Sequence, residues 1–197
     1  MRNLRIANSR FPRGFSLLEV MIAITVLSIG VLGIATLQLS SKRSNFEATQ
    51  HATASYLVQG LLERIRANPT ALGSYNNDGS GLTLSGTTLS SISCSAGCTP
   101  SQMAQYDLFQ WEQSISGAGE LLAGAPTGGL VSARACITGP AGISGNYTIA
   151  IAWRGTSDLI VPITSTCGQG SGLYDSSTGN DVRRRVLSVQ TFITVPI

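Results

Sequence analysis

Gly14, Phe15 and Glu19 are the residues of this chain whose types and spacing point to chemistry. A cut between Gly14 and Phe15 would free an α-amine on Phe15, about one helical turn from the Glu19 carboxylate. That carboxylate stands at the head of an apolar run. From Val20 to Leu37, eighteen consecutive residues carry no charge. As a helix they would span ~27 Å, close to a bilayer core of ~30 Å. An unpaired acid near the centre of such a helix costs roughly 2.5–3.5 kcal/mol on insertion scales, so an ionisable group there reads as functional. The chemistry on offer is electrostatic. In the first turn Glu19 suits the positive end of the helix dipole, and in a packed array it can meet the Phe15 amine of a neighbouring chain.

Other candidates are weaker on chemical grounds. Glu47 and His51 stand four residues apart and read as an exposed helix pair. No nucleophile or second acid is marked beside them, so no catalytic residue is expected and the chain is not read as an enzyme. Asn76, Asp78, Ser80 and Gly81 echo a calcium loop, but its twelfth position falls on Thr87, where a bidentate glutamate is required. A turn centred on Asp78-Gly79 is the better reading. Gly168, Gly170 and Gly172 form no phosphate loop, because neither a helix start nor a lysine follows them. Cys94, Cys98, Cys136 and Cys167 include no C-x₂-C pair, and the one histidine, His51, lies far from them, so no metal and no cofactor are expected.

The elements that must position Glu19 follow from charge and periodicity. Arg2, Arg5, Arg10 and Arg13 precede Gly14, with no acid among them. Beyond them, nine basic residues face ten acids, so the basic balance belongs to the leader, which would hold the segment on the cytoplasmic side of a membrane. Past Leu39 the chain turns polar but keeps helical spacing: Ala54, Leu57, Val58, Leu61 and Ile65 share one face, and Lys42, Arg43, Glu47, Gln50 and Glu63 lie elsewhere. Asn68-Pro69 ends that helix. Thr25, Ser28 and Thr36 can bond back to helix carbonyls inside the apolar run. Gly30 and Gly33 predict local flexibility or close helix packing.

Four cysteines beyond an export signal favour two disulfides in an oxidising compartment. Three pairings are possible; the expectation is Cys94 with Cys98 and Cys136 with Cys167. Residues 70–99 read as loop. Thr99 then reads as an N-cap with Pro100 at the first helical position, opening a helix to about Ser116. Its stripe of Met103, Tyr106, Leu108, Phe109 and Trp111 is read as core. Residues 120–126 read as a connector. Three alternating runs predict half-buried strands: Val131 to Ile137, Tyr147 to Trp153 and Leu187 to Val195. A fourth, from Asp158 to Ile163, would be demoted to an edge by Pro162. Arg183, Arg184 and Arg185 are expected at a solvated strand entrance. A short basic run without a wider basic surface does not imply nucleic acid as a partner.

The run G-F-S-L-L-E-V-M-I-A-I resembles the class III signal of type IV pilins and pseudopilins. That resemblance implies a prepilin peptidase cutting between Gly14 and Phe15, an N-methylated Phe15, and Glu19 as the glutamate at the fifth mature position. The pieces V-L-S-I-G-V-L-G, L-L-E-R-I-R-A-N-P and C-x₃-C-T-P-S-Q-M-A-Q-Y-D-L-F-Q-W resemble the minor pilins of that family. The implied fold is α+β, type IV pilin-like: a long N-terminal helix packed on an antiparallel sheet, with a loop-rich αβ region. The implied organisation is a cleaved leader over 1–14, a membrane and assembly half of the helix over 15–39, and an amphipathic half over 40–68. An αβ loop region with a short helix over 69–126 and a sheet region over 127–197 complete it. The implied role is a structural subunit held in the inner membrane, with its C-terminal domain in the periplasm, then built into a pilus fibre within a complex that starts assembly. Implied partners are the peptidase, major and minor pilins, the inner-membrane assembly platform and, before assembly, lipid. A minor pseudopilin of a type II secretion system is the alternative in the same family. A fibre-borne adhesin or DNA receptor is the alternative of another class.

Overall fold

The computed structural model describes residues 14–77, 82–84, 89–159 and 165–195. Contacts divide the chain into two compact units, Met1–Ser44 and Asn45–Ile197. Helix α1 (Leu17–Ala67) is 51 residues long and contributes to both. In the first unit every described residue is exposed. Its apolar window has a mean hydropathy of 2.5 and none of it is buried, so α1 is long and apolar enough to cross a membrane. Regular helix continues through Gly30 and Gly33, where an added Cβ would meet nothing within 4 Å.

In the second unit α1 turns one face inward. Gln50, Ala54, Leu57, Val58, Leu61, Leu62 and Ile65 are buried, at the three- and four-residue steps that line one side of a helix. All but Gln50 share one core with Ile137, Tyr147, Ile149, Ile151 and Trp153 of the sheet. Burying each large aliphatic side chain there is worth about 1.5–3 kcal/mol. After Ala67 a 3₁₀ turn (Pro69–Ala71) and a short helix α2 (Leu72–Tyr75) follow. Leu72 and Tyr75 are fully buried in them. This stretch was expected to be loop; its turn residues concealed two core side chains.

The sheet runs β1-β4-β5-β6, antiparallel throughout. Its strands are β1 (Leu82–Leu84), β4 (Arg134–Thr138), β5 (Gly145–Arg154) and β6 (Arg184–Ile193). β1 was not foreseen, because three residues between Gly-rich flanks give no readable alternation. On β5 the predicted face of Tyr147, Ile149, Ile151 and Trp153 is buried, yet Ala150 and Ala152 on the opposite face are buried too. Their small side chains let a loop lie flat on the sheet: Cys167 Sγ sits 3.6 Å from the Ala150 carbonyl, and Tyr174 donates from its hydroxyl to Ser132 O at 3.0 Å. Val131 lies outside β4 and is 41% exposed, contrary to the expected strand. Asp158 and Leu159 are not strand; the rest of the expected fourth strand, from residue 160, lies outside the described residues, as does the Asp78-Gly79 turn.

Helix α3 (Pro100–Ser116) opens as the sequence predicts. Thr99 Oγ1 accepts from Gln102 N–H, and Gln102 Oε1 accepts from Thr99 N–H, a reciprocal capping box. Gly117 ends the helix in the left-handed region at φ 71° and packs against Gly129 so closely that a Cβ on either would overlap the other's backbone. The predicted stripe is only partly the buried face: Leu108 and Trp111 are buried, Tyr106 and Phe109 are half-buried. Ala104, Leu108, Trp111 and Ile115 point inward, together with Asp107 and Glu112, while Met103 is exposed. Where a connector was expected, a small hairpin pairs β2 (Leu121–Leu122) with β3 (Ala125–Pro126).

Candidate functional site

Gly14 and Phe15 precede α1, and Phe15 is 83% exposed. Glu19 lies in the first turn of the helix. Four unsatisfied backbone N–H groups gather at such a helix start, so a carboxylate there is favourably placed. Along the same face Val20, Ile24 and Leu27 are exposed at 46, 58 and 66%. The hydroxyls within the apolar run are internally satisfied: Thr25 donates to Met21 O at 2.8 Å, Ser28 to Ile24 O at 2.7 Å and Thr36 to Gly33 O at 2.8 Å. Glu19 has no such bond in its own helix among the described residues. The arrangement is an apolar helical surface with a single anionic group at its head.

The arginine run is a different object from the solvated strand entrance expected of it. Arg183 Nε donates to Asp158 Oδ1 at 2.6 Å. Arg184 is buried and donates to Ser165 O at 2.8 Å and Cys167 O at 2.9 Å. Arg185 donates to Ser157 O at 2.7 Å and lies 3.6 Å from Glu47 Oε2 on α1. Arg183 and Arg185 hold the same loop, at Asp158 and Ser157, and Arg184 holds the segment at Ser165 and Cys167, so among the described residues all three guanidinium groups are engaged within the chain. Glu47 is correspondingly not His51's partner: it accepts from the Thr156 N–H and from Thr156 Oγ1, and His51 instead meets Trp153 edge to face at 5.9 Å. Hydrogen bonds from Thr178, Arg183 and Ser176 hold the Asp158 carboxyl low, at about 2.

Gln50, expected off the buried face of α1, is buried on it, and Asp107 went unread in the sequence. Gln50 uses both ends of its amide, donating to Gly129 O at 3.5 Å and accepting from Val131 N–H at 3.1 Å. Asp107 accepts from Arg64 at 3.1 Å and from the Tyr75 hydroxyl at 2.6 Å. Burial, and then the bond to Asp107, push the Tyr75 phenol far above its ordinary value, so it remains a donor. The available signal was positional. Gln50 continues the Ala54, Leu57, Leu61 face by one turn, and Asp107 sits between Ala104 and Leu108. The structure joins Cys94 to Cys98 and Cys136 to Cys167, the latter across 31 positions of sequence with 5.8 Å between Cα atoms. Among the described residues no group of His, Cys, Asp and Glu could hold a metal ion.

Two family models match the chain. Residues 10–35 match the prokaryotic N-terminal methylation motif, and residues 36–109 match the model described as type IV pilin Tt1218. No curated protein and no solved structure matches it. The two matches support a type IV pilin, and the long N-terminal helix with a four-stranded antiparallel sheet is that family's α+β fold.

Proposed function

We propose that this chain is a minor pilin of the PilV kind, the type IV pilus modification proteins. Prepilin peptidase cleaves it between Gly14 and Phe15 and methylates the new N-terminus. The exposed apolar half of α1 anchors it in the inner membrane, with the sheet-bearing unit in the periplasm. It then enters the fibre within a tip or priming complex that starts assembly, and so supports twitching motility and adhesion. Its partners are major and minor pilins and the assembly platform. The observation that carries this reading is the bare apolar surface from Leu17 to Leu39 with Glu19 at its head. Lipid covers that surface first and other pilin helices cover it later. Glu19 then neutralises the Phe15 amine of a neighbour and sets the incoming subunit's register.

The adhesin or DNA-receptor reading loses its main support, since Arg183, Arg184 and Arg185 are each engaged within the chain. The N-terminal mass of the mature protein tests the processing: an N-methylated Phe15 is expected, and an intact Met1 refutes it. Glu19→Ala tests the register. Pilus assembly and association with other minor pilins should fall sharply; normal levels of both would remove the role given to Glu19.

A further inference from the structure

The face of the sheet opposite the core is half covered. Residues 167–171 lie over β5 at Ala150 and Ala152, both buried. Where that loop ends the sheet is bare, and the step between them is an open cleft of about 630 Å³. Thr138, Thr148 and Ser188 line its floor, and Gln169 and Ser171 its wall. The same face continues past the cleft: Gln190 pairs with Thr148, and Phe192 with Asn146. Directly paired side chains stand about 5 Å apart on one face. Successive rows along the strands are about 7 Å apart, which places Phe192 roughly 13 Å from Ser188.

The chemistry of this ledge is uniform. Thr138, Asn146, Thr148, Ser188 and Gln190 are neutral, and together they offer both donors and acceptors. Among the described residues none of their side chains is hydrogen-bonded within the chain, unlike those of Gln50, Ser176 and Thr178. Arg134, at the far end of the cleft, donates to Ala133 O at 3.3 Å. An anionic ligand would find no cluster of cations here, and a fatty chain no apolar floor. One large apolar group interrupts the pattern. Phe192 is 62% exposed, its ring beside the Asn146 amide. A flat apolar ring among hydroxyl and amide groups matches a saccharide, whose rings have an apolar C–H face and a rim of hydroxyls.

We propose that this cleft and ledge bind a neutral saccharide chain laid along β6. Phe192 takes the C–H face of one sugar. Asn146, Thr148 and Gln190 exchange hydrogen bonds with its hydroxyls and those of the next, and residues 167–171 stop the end of the chain. The wall is fixed before a ligand arrives. Cys167 is joined to Cys136 in the floor, and Gly170 N–H donates to Asp181 Oδ2 at 2.8 Å, so binding has little to order. The site lies wholly within the Asn45–Ile197 unit and stands whether or not the leader is processed.

The experiment titrates the full chain by calorimetry, in a zwitterionic detergent free of sugar groups. The probes are neutral hexasaccharides of glucose, mannose, galactose and N-acetylglucosamine, with a sulfated glucose hexasaccharide and a glycine–serine peptide as comparisons. At least one neutral hexasaccharide should bind saturably with a Kd of about 1 mM or tighter. Phe192→Ala should weaken that binding by about tenfold or more, and Phe192→Tyr, which keeps the ring, should retain it. Gln190→Ala should weaken it by about threefold or more. Leu121→Ala, at an exposed position on the β2–β3 hairpin, should leave it unchanged. These positions are exposed, so each variant should keep its thermal midpoint. Binding by none of the four neutral chains, binding only by the sulfated chain or the peptide, or undiminished binding in Phe192→Ala would each overturn the proposal.

Discussion

The two ends of α1 both carry large apolar side chains, and these meet opposite surroundings. Toward the N-terminus, Leu17, Ile29 and Leu37 are exposed at 79, 69 and 71%. Toward the C-terminus, Val58, Leu61 and Ile65 are exposed at 0%. Mean hydropathy, 2.5 in the N-terminal window, already separates the two ends, but it does not say which side chains the chain itself covers. What decides that is whether polar residues recur at helical spacing. In residues 45–67 they do, which leaves one stripe for the chain's own core. In residues 17–37 apolar residues surround the helix, and a helix apolar all round needs cover from outside the chain.

Matched substitutions should expose this difference most strongly. Leu61→Ala should lower the unfolding free energy of the sheet-bearing unit by about 3–5 kcal/mol in denaturant titration, because it empties a fully buried position. Leu27→Ala should move it by no more than about 0.5 kcal/mol. Equal effects would mean that the N-terminal half is covered by the chain itself. Next, the two disulfides should differ. Replacing Cys136 and Cys167 by serine should cost about 3–4 kcal/mol, and replacing Cys94 and Cys98 about 2, since the loop-closure contribution grows with loop length. Tyr75→Phe should cost about 1–2 kcal/mol by withdrawing a donor from buried Asp107.

The smallest effect is local and depends on pH. The folded Asp158 carboxyl lies at about 2, below its ordinary 3.8. Its stabilising bonds are therefore fully present above about pH 4 and are lost as pH falls toward 2. Amide exchange around Ser176, Thr178 and Arg183 should speed up across that window, with the core unchanged. Asp158→Asn should abolish the transition. A transition that survives would assign it to another acid.

Much of this was legible from pattern alone, and the gaps have physical causes. The reach of α1, its inward face, the capped start of α3 and the inward side of β5 all follow from periodicity or capping chemistry. β1 did not, because a three-residue strand exists only through its partner β4. The buried Asp107 and Gln50 did not, because a polar residue on an apolar face reads as noise until its acceptor or donor is placed by another element. The arginine run misled for the same reason: Asp158, Glu47 and the carbonyl of Cys167 are distant in sequence and adjacent only in the fold. Gly14, Phe15 and Glu19 could be read together as a candidate site because all three lie within six positions of one another.

Thr25, Ser28 and Thr36 spend their hydroxyls on their own helix, and this has a consequence for docking. Between Val20 and Leu37 the helix presents no polar group that must break a bond to move. On the proposed reading, a subunit that enters a bundle of like helices brings a surface whose hydroxyls are already bonded. Glu19 is then the one polar group of that stretch still to be matched on arrival, and a second unbonded polar group farther along the helix would compete with it for a partner.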